Sequence, residues 1–492
     1  MQIKPESPNL LEGMFMDNSI SPLHPDRLFS TDPAARQLSQ ALYHSIAKLP
    51  IISPHGHTDP SWFADNQAFK NATELLIIPD HYVFRMLYSQ GISLRDLGIP
   101  TVDGSATETD YRKIWHVFAQ NYHLFIGTPS RMWMDYVFIE IFGLKETLSA
   151  ANADFVYDHI NQCLATDAFK PRKLLETFNI ELLATTESAI DDLKHHAKLK
   201  GTCIENTVIT TFRPDDVTNP ESPKFISSLE KLAEMTKEDT FSWQGYLNAL
   251  RNRREFFREH GATATDHGHA TPKTADLSKS ECENLFSLMI KGQFTPEQAE
   301  LFRAQMLTEL AGMSIEDGMV MQIHPGSYRN HNEPLFKAFG ADKGADIPVQ
   351  AEFVKNLQPM LSKYGNEANL RVILFTLDES NYTRELAPLA GHYPCLKLGP
   401  AWWFHDSPEG MLRYRHSVTE TAGFYNTVGF NDDTRAFLSI PARHDVARRI
   451  DCRFLAQMVL EHRMSEADAY KLAKDLTYNL AKNGYKNTLQ TA

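Results

Sequence analysis

Residues 49–60 read LPIISPHGHTDP, a short apolar run ending in two histidines separated by one glycine and followed by an aspartate. If residues 49–52 form a strand, side chains alternate in direction, so His55 and His57 face the same way. Two neutral imidazoles aimed at one point, completed by a carboxylate, suit a divalent ion of borderline softness and leave positions free for water or substrate. A lone His-x-His pair is more often a loop feature without a ligand. The reading therefore depends on what the rest of the chain brings to the same place. The remote carboxylate expected there is Asp433, and the expected cofactor is one divalent ion, zinc.

Eight short β-branched or apolar runs bounded by turn residues are candidate strands, at 50–52, 181–186, 207–212, 262–266, 319–324, 371–377, 395–399 and 426–432. Stretches with helical spacing lie between most of them, at 223–235, 298–313, 349–365 and 444–464 among others. Alternating strand and helix predicts a parallel sheet, and eight such units close a TIM-type (β/α)8 barrel. Chemistry in that fold collects at the carboxyl ends of the strands. Those ends carry His55 and His57, Arg213, Asp266 and His267, His324, Asp378 and Glu379, and finally Asp433 and Arg435. The first and eighth strands become neighbours on closure, which brings Asp433 to the two histidines without any local motif.

A plain barrel needs about 250 residues, and this chain has 492. The excess lies mainly at about 60–180, where FKNATELLIIPDHYVFRMLYSQGI and RMWMDYVFIEIFGL read as helical and rich in aromatics. A helical cap inserted after the first strand is expected, with residues 1–492 forming a single metal-dependent α/β barrel domain. The formal charge of −13 argues against nucleic-acid or membrane-surface partners, so an acidic small molecule must be gripped by a few local arginines. No apolar run approaches 18 residues, and MQIKPESPNLLEGMFM lacks the apolar core of a signal peptide, so a cytoplasmic location is expected. Cys163, Cys203, Cys282, Cys395 and Cys452 are scattered and form no CxxC pair, which predicts reduced thiols. A homo-oligomer is compatible with the sequence, which does not specify one.

HGHTDP is followed in order by PDHYVFRML at 79–87, TFRPD at 211–215, DHG at 266–268, HPGSYRNHN at 324–332, AWWF at 401–404 and DDTRAFLS at 432–439. Together these resemble the uronate (glucuronate) isomerases of the amidohydrolase superfamily, over nearly the whole chain. The resemblance implies an aldose–ketose isomerase interconverting D-glucuronate with D-fructuronate and D-galacturonate with D-tagaturonate. It implies that His55, His57 and Asp433 hold the metal and that His81 and Tyr82 form the family's HY pair. Arg213 matches the arginine of its RP motif, and Arg435 the arginine two residues after the metal aspartate. Thr58-Asp59 after the histidines and Pro-Gly-Ser after His324 depart from the family pattern, which bears on substrate preference more than on the reaction.

Moving a carbonyl from C1 to C2 requires a base for a weakly acidic C–H proton, an electrophile for the enediolate and a donor to return the proton. The catalytic candidates are His81, Tyr82, Asp433 and Arg435, with histidine the expected proton carrier near neutral pH. Arg213, Asp266 and His324 are the substrate-binding candidates, Arg213 as the clamp on the sugar carboxylate. Trp402 and Trp403 read as packing, His267 and His269 as solvated or backbone-bonded loop histidines, and Arg448 and Arg449 as helix-surface charges. The alternatives are a mononuclear metal-dependent hydrolase and a non-catalytic sugar-acid-binding protein; ketose formation from glucuronate separates all three.

Overall fold

The computed structural model describes residues 23–490; the amino-terminal stretch read for a signal peptide lies outside the described residues. Nine strands occur among them: β1 (Ile51–Ser53), β2 (Ile180–Ser188), β3 (Val208–Arg213), β4 (Ala264–His267), β5 (Val320–Ile323), β6 (Ser327–Tyr328), β7 (Ile347–Pro348), β8 (Val372–Leu374) and β9 (Leu396–Leu398). Seven of these form one curved parallel sheet in the order β1-β2-β3-β4-β5-β8-β9, while β6 and β7 make a separate antiparallel pair beyond β5. This is the TIM-type α/β barrel, with one departure from expectation. The run at 426–432 pairs only through a single parallel bridge between Leu398 and Thr427. Gly429 there has φ +75, and a Cβ at that position would lie 2.8 Å from the Leu476 carbonyl oxygen, so the extended run stops. The seam beside β1 is joined by the His57 N–H, which donates to the Thr434 carbonyl at 3.0 Å.

Strand alternation builds the interior in layers. Ala264, Val320 and Ile373 face the barrel axis, where Phe375, Trp402, Val428 and Tyr485 complete a buried apolar floor. Their sequence neighbours Met321, Ile323, Val372 and Leu374 point outward into the main core against the helices. Two residues further along the inner faces come Asp266 and Gln322, so the polar layer begins one step above the floor.

The helices obey local rules. Pro296–Asp317 begins with a capping box between Thr295 and Gln298, carries proline in its first turn, and ends at Gly318 with φ +74. Its buried Phe302, Met306 and Leu310 recur every fourth residue on one face, and each contributes roughly 1.5–3 kcal/mol through burial. A Cβ at Gly318 would sit 2.2 Å from Asn487 Oδ1, so alanine there would disturb both the cap and the carboxyl-terminal segment.

Helices fill the chain between β1 and β2, from Pro60–Asp65 to Pro171–Thr177. Trp115, Phe118, Tyr122, Phe125 and Phe138 are buried in a core that these helices share with Ile51 and Ile180. The stretch at 69–92 divides into Ala72–Leu76 and His81–Ser89. Pro79 disfavours helix at the residue before it, and Asp80 starts the second helix by accepting from the Tyr82 N–H at 2.9 Å. Arg448 and Arg449, expected on the surface, are buried. Arg448 donates to the carbonyls of Ala47, Leu49 and Pro50, and Arg449 to Asp445 and the Pro25 carbonyl. The helix Ile440–Leu460 carrying them is covered on nearly every side, so its charged residues are internal ties. No helix among the described residues is long and apolar enough to cross a membrane.

Candidate active site

His55 and His57 leave β1 with Gly56 between them, where a Cβ would stand 3.4 Å from the Thr434 carbonyl and 3.5 Å from that of Ala184. His55 Nε2 and His57 Nε2 lie 3.5 and 3.1 Å from the same oxygen, Asp433 Oδ1, which has no hydrogen-bond partner among the described residues. The three donor atoms lie within 4.8 Å of one another, and this group could hold a metal ion. Burial pushes Asp433 upward, but the adjacent imidazoles of His57 and His55 and the indole bond from Trp402 outweigh it and hold the carboxyl well below its usual range. Burial lowers His57 against the pull of Asp433, favouring the neutral form a metal needs. Gln322 Nε2 faces His55 Nδ1 at 3.3 Å while Gln322 Oε1 has no partner among the described residues. Turning that amide over would let Oε1 accept from Nδ1–H, the tautomer that leaves Nε2 free as a ligand.

A cavity of about 420 Å³ opens above this cluster and is lined by His55, His57, His81, Tyr82, Arg213, His324, Asp433 and Arg435. Its size falls in the small-ligand range of roughly 300–1,000 Å³. His81 and Tyr82 come from the first turn of His81–Ser89, so the insertion supplies part of the wall. Burial first, then the Arg435 charge, lowers His81 to about 3. It is therefore neutral near pH 7, with ring Nδ1 unpartnered among the described residues, and does not titrate where an ordinary histidine does. Tyr82 turns its hydroxyl to Asp406 Oδ2 at 3.1 Å. Arg435 Nη2 reaches Asp342 Oδ2 at 2.9 Å.

The substrate-binding candidates separate. Arg213 lines the cavity but is already engaged, with Nε donating to Asp215 Oδ2 at 2.7 Å and Nη1 3.2 Å from Asp266 Oδ2. Asp266 does not line the cavity. It is fully buried behind Arg213 and His324, whose Nε2 lies 2.7 Å from Asp266 Oδ1. The inner face of β4 aims Asp266 into the layer beneath the ligand space, where Arg213 and His324 are its neighbours. His267 and His269 are likewise buried, His267 bonded to Thr265 Oγ1 at 2.9 Å.

The sequence reading missed several cavity residues. Arg329, paired with Asp346 at 2.6 Å, and Asp342 lie in the segment carrying β6 and β7. Trp402 and Trp403, set aside as packing, line the cavity as well. Trp403, Phe404 and Asp433 have φ of 24, 39 and 40, a left-handed backbone uncommon outside glycine and concentrated at this site. The quoted AWWF and HPGSYRNHN motifs contained the tryptophans and Arg329, whereas nothing local marked Asp342 or Asp406. The arrangement combines a metal-competent cluster, a neutral histidine, an oriented phenol and three arginines around a space for one small anion.

The chain is similar to known proteins over most of its length. The model of the glucuronate isomerase family matches residues 30–485. The chain is 58% identical over 471 residues to a uronate isomerase of Xanthomonas axonopodis pv. citri (strain 306), spanning 96% of this chain and 100% of that one. It is similar to the crystal structure of glucuronate isomerase from Caulobacter crescentus, with TM-score 0.93 and 59% identity over 94% of this chain and 96% of that one. A uronate isomerase from Thermotoga maritima matches with TM-score 0.87 at 26% identity, covering 94% and 99%.

Proposed function

The chain belongs to the glucuronate isomerase family, and from that premise we propose that it is an aldose–ketose isomerase converting D-glucuronate to D-fructuronate and D-galacturonate to D-tagaturonate. The observation carrying this reading is that His81, Tyr82 and Arg435 share one cavity with the His55, His57 and Asp433 cluster. In the reaction C2 loses a proton and C1 gains one, while a hydroxyl proton leaves O2 and one is added at O1. Arg435, beside His81, stabilises charge on the enediolate oxygens. Neutral His81 offers a ring nitrogen for the carbon-bound proton, and Tyr82 handles a hydroxyl proton. His324 and Arg213 position the sugar from the barrel side, with Asp266 fixing them from behind.

His55, His57 and Asp433 would hold the divalent ion, read as zinc, which when bound supplies Lewis-acid polarisation of a sugar oxygen. Asp433 also assists opening of the cyclic sugar. Residues 1–492 are read as one domain in which the insertion at about 60–180 caps the barrel mouth, and the enzyme is placed in the cytoplasm. The test is incubation of the purified protein with glucuronate while following ketose formation. Appearance of fructuronate supports the isomerase, and its absence in metal-replete protein overturns it.

A further inference from the structure

Tyr82 and Asp406 come from distant parts of the chain. Tyr82 belongs to the insertion, whereas Asp406 lies in the barrel loop between β9 and the helix Pro408–Ala422. Their 3.1 Å hydrogen bond is buried. A phenol has one proton, and here it is directed at Asp406 Oδ2. The same oxygen accepts from Arg443 Nη1 at 3.0 Å. Two donors converging on Oδ2 mark it as the acceptor oxygen of a carboxylate.

Arg443 is itself fixed. Its Nε donates to Ser439 Oγ at 3.1 Å, and its guanidinium carbon stands 3.6 Å from the centre of the Trp133 ring. Trp133 in turn packs edge-on to Tyr82 with ring centres 5.6 Å apart. Tyr82 reaches the cavity, whereas Asp406 and Arg443 stand outside its lining. Nothing local in the sequence singles out Asp406, and its buried carboxylate has no part in the metal cluster; its arginine partner, Arg443, also lies outside the cavity lining.

We infer that Asp406 is a positioning residue for the isomerisation, holding the Tyr82 hydroxyl with its proton outward and its oxygen lone pairs toward the substrate, with Arg443 fixing Asp406 in turn. This rests on the isomerase reading and assigns Tyr82 a direction within it. A sugar hydroxyl then gives its proton to the phenolic oxygen as the phenolic proton passes to Asp406 Oδ2. The reverse transfer returns a proton to the oxygen at C1. Each transfer makes one O–H bond and breaks one, and requires no further reactant.

The experiment is a double-mutant cycle on the metal-replete full chain with Asp406→Asn, Tyr82→Phe and the combined variant, measuring kcat, KM and Tm. Asp406→Asn should lower kcat by about 10²-fold, with KM nearly unchanged. Added to Tyr82→Phe it should cost nothing more in kcat, because the hydroxyl it orients is already gone. Should the asparagine variant fail to fold, Asp406→Glu keeps a carboxylate opposite Arg443 but displaces it from the phenol, and the same cycle is run with it. Wild-type kcat in the folded Asp406 variant, or a full further loss on top of Tyr82→Phe, overturns the assignment. A wild-type protein that makes no ketose removes the isomerase reading itself, an outcome read before any variant is compared.

Discussion

Trp402 donates its indole N–H to Oδ2 of Asp433, while the other carboxylate oxygen faces His55 and His57. The two oxygens thus have separate tasks. The same indole packs edge-on against His324 at 5.1 Å and Phe375 at 5.9 Å between ring centres, linking the apolar floor of the barrel to the polar layer. Asp433 sits at φ 40, an unfavourable backbone for aspartate, so its orientation needs such an external hold.

Trp402→Phe keeps an aromatic ring and removes the donor. Metal affinity should fall by roughly 10–100-fold, measured by chelator competition with elemental analysis, and Tm should fall as well because the smaller ring leaves space between His324 and Phe375. The paired change His55→Ala with His57→Ala should abolish stoichiometric metal; a metal content equal to wild type in that variant would show that the ion is held elsewhere.

Arg213 answers first to protein carboxylates. Asp266 is fully buried, and Arg213→Met leaves it facing His324 alone. The expected cost is about 3–5 kcal/mol in unfolding free energy, read from urea melts, and adding Asp266→Asn should recover part of it. Glucuronate turnover should fall further than glucose turnover if the guanidinium also grips the sugar carboxylate. An unchanged urea midpoint would mean that the buried pair contributes no stability.

The alternation of strand and helix was readable because barrel strands are short apolar runs and their helices carry regular apolar faces. Seven of the eight strand positions follow from it, as do His55, His57 and Asp433, which barrel closure alone brings together. The eighth strand failed at Gly429, whose positive φ cannot be told from an ordinary strand glycine by pattern. Asp266 was placed in the ligand space because a strand end shows where a side chain begins, not the layer in which it stops. Arg448 looked exposed because helical charge usually is, and only the covering of Ile440–Leu460 from several sides reverses that. Asp406 depends on a contact with Tyr82 from a distant segment and had no local signal at all.

Glu187 offers a pH-dependent test away from the cavity. On β2 Thr186 turns inward and donates to the Gly56 carbonyl at 3.0 Å, so Glu187 faces outward beneath the helices, where it is buried. Thr210 Oγ1 donates to it, and His196 Nε2 stands 3.8 Å away. Burial raises Glu187 from 4.5 to about 7 and lowers His196 from 6.5 to about 4. Between those limits both are neutral, and the contact is not an ion pair. In the unfolded chain Glu187 loses its proton near 4.5, whereas the folded chain keeps it until about 7. The folded state therefore binds the extra proton, so this contribution is fully present below about 4.5 and is lost as pH rises through about 7. The span corresponds to about 3 kcal/mol. Glu187→Gln retains a hydrogen-bonding group without the charge, so its urea-unfolding free energy should rise relative to wild type across that window, the opposite slope from His196 being common to both, and it should be the more stable at about pH 8. If the variant declines as steeply as wild type, the dependence belongs to another group.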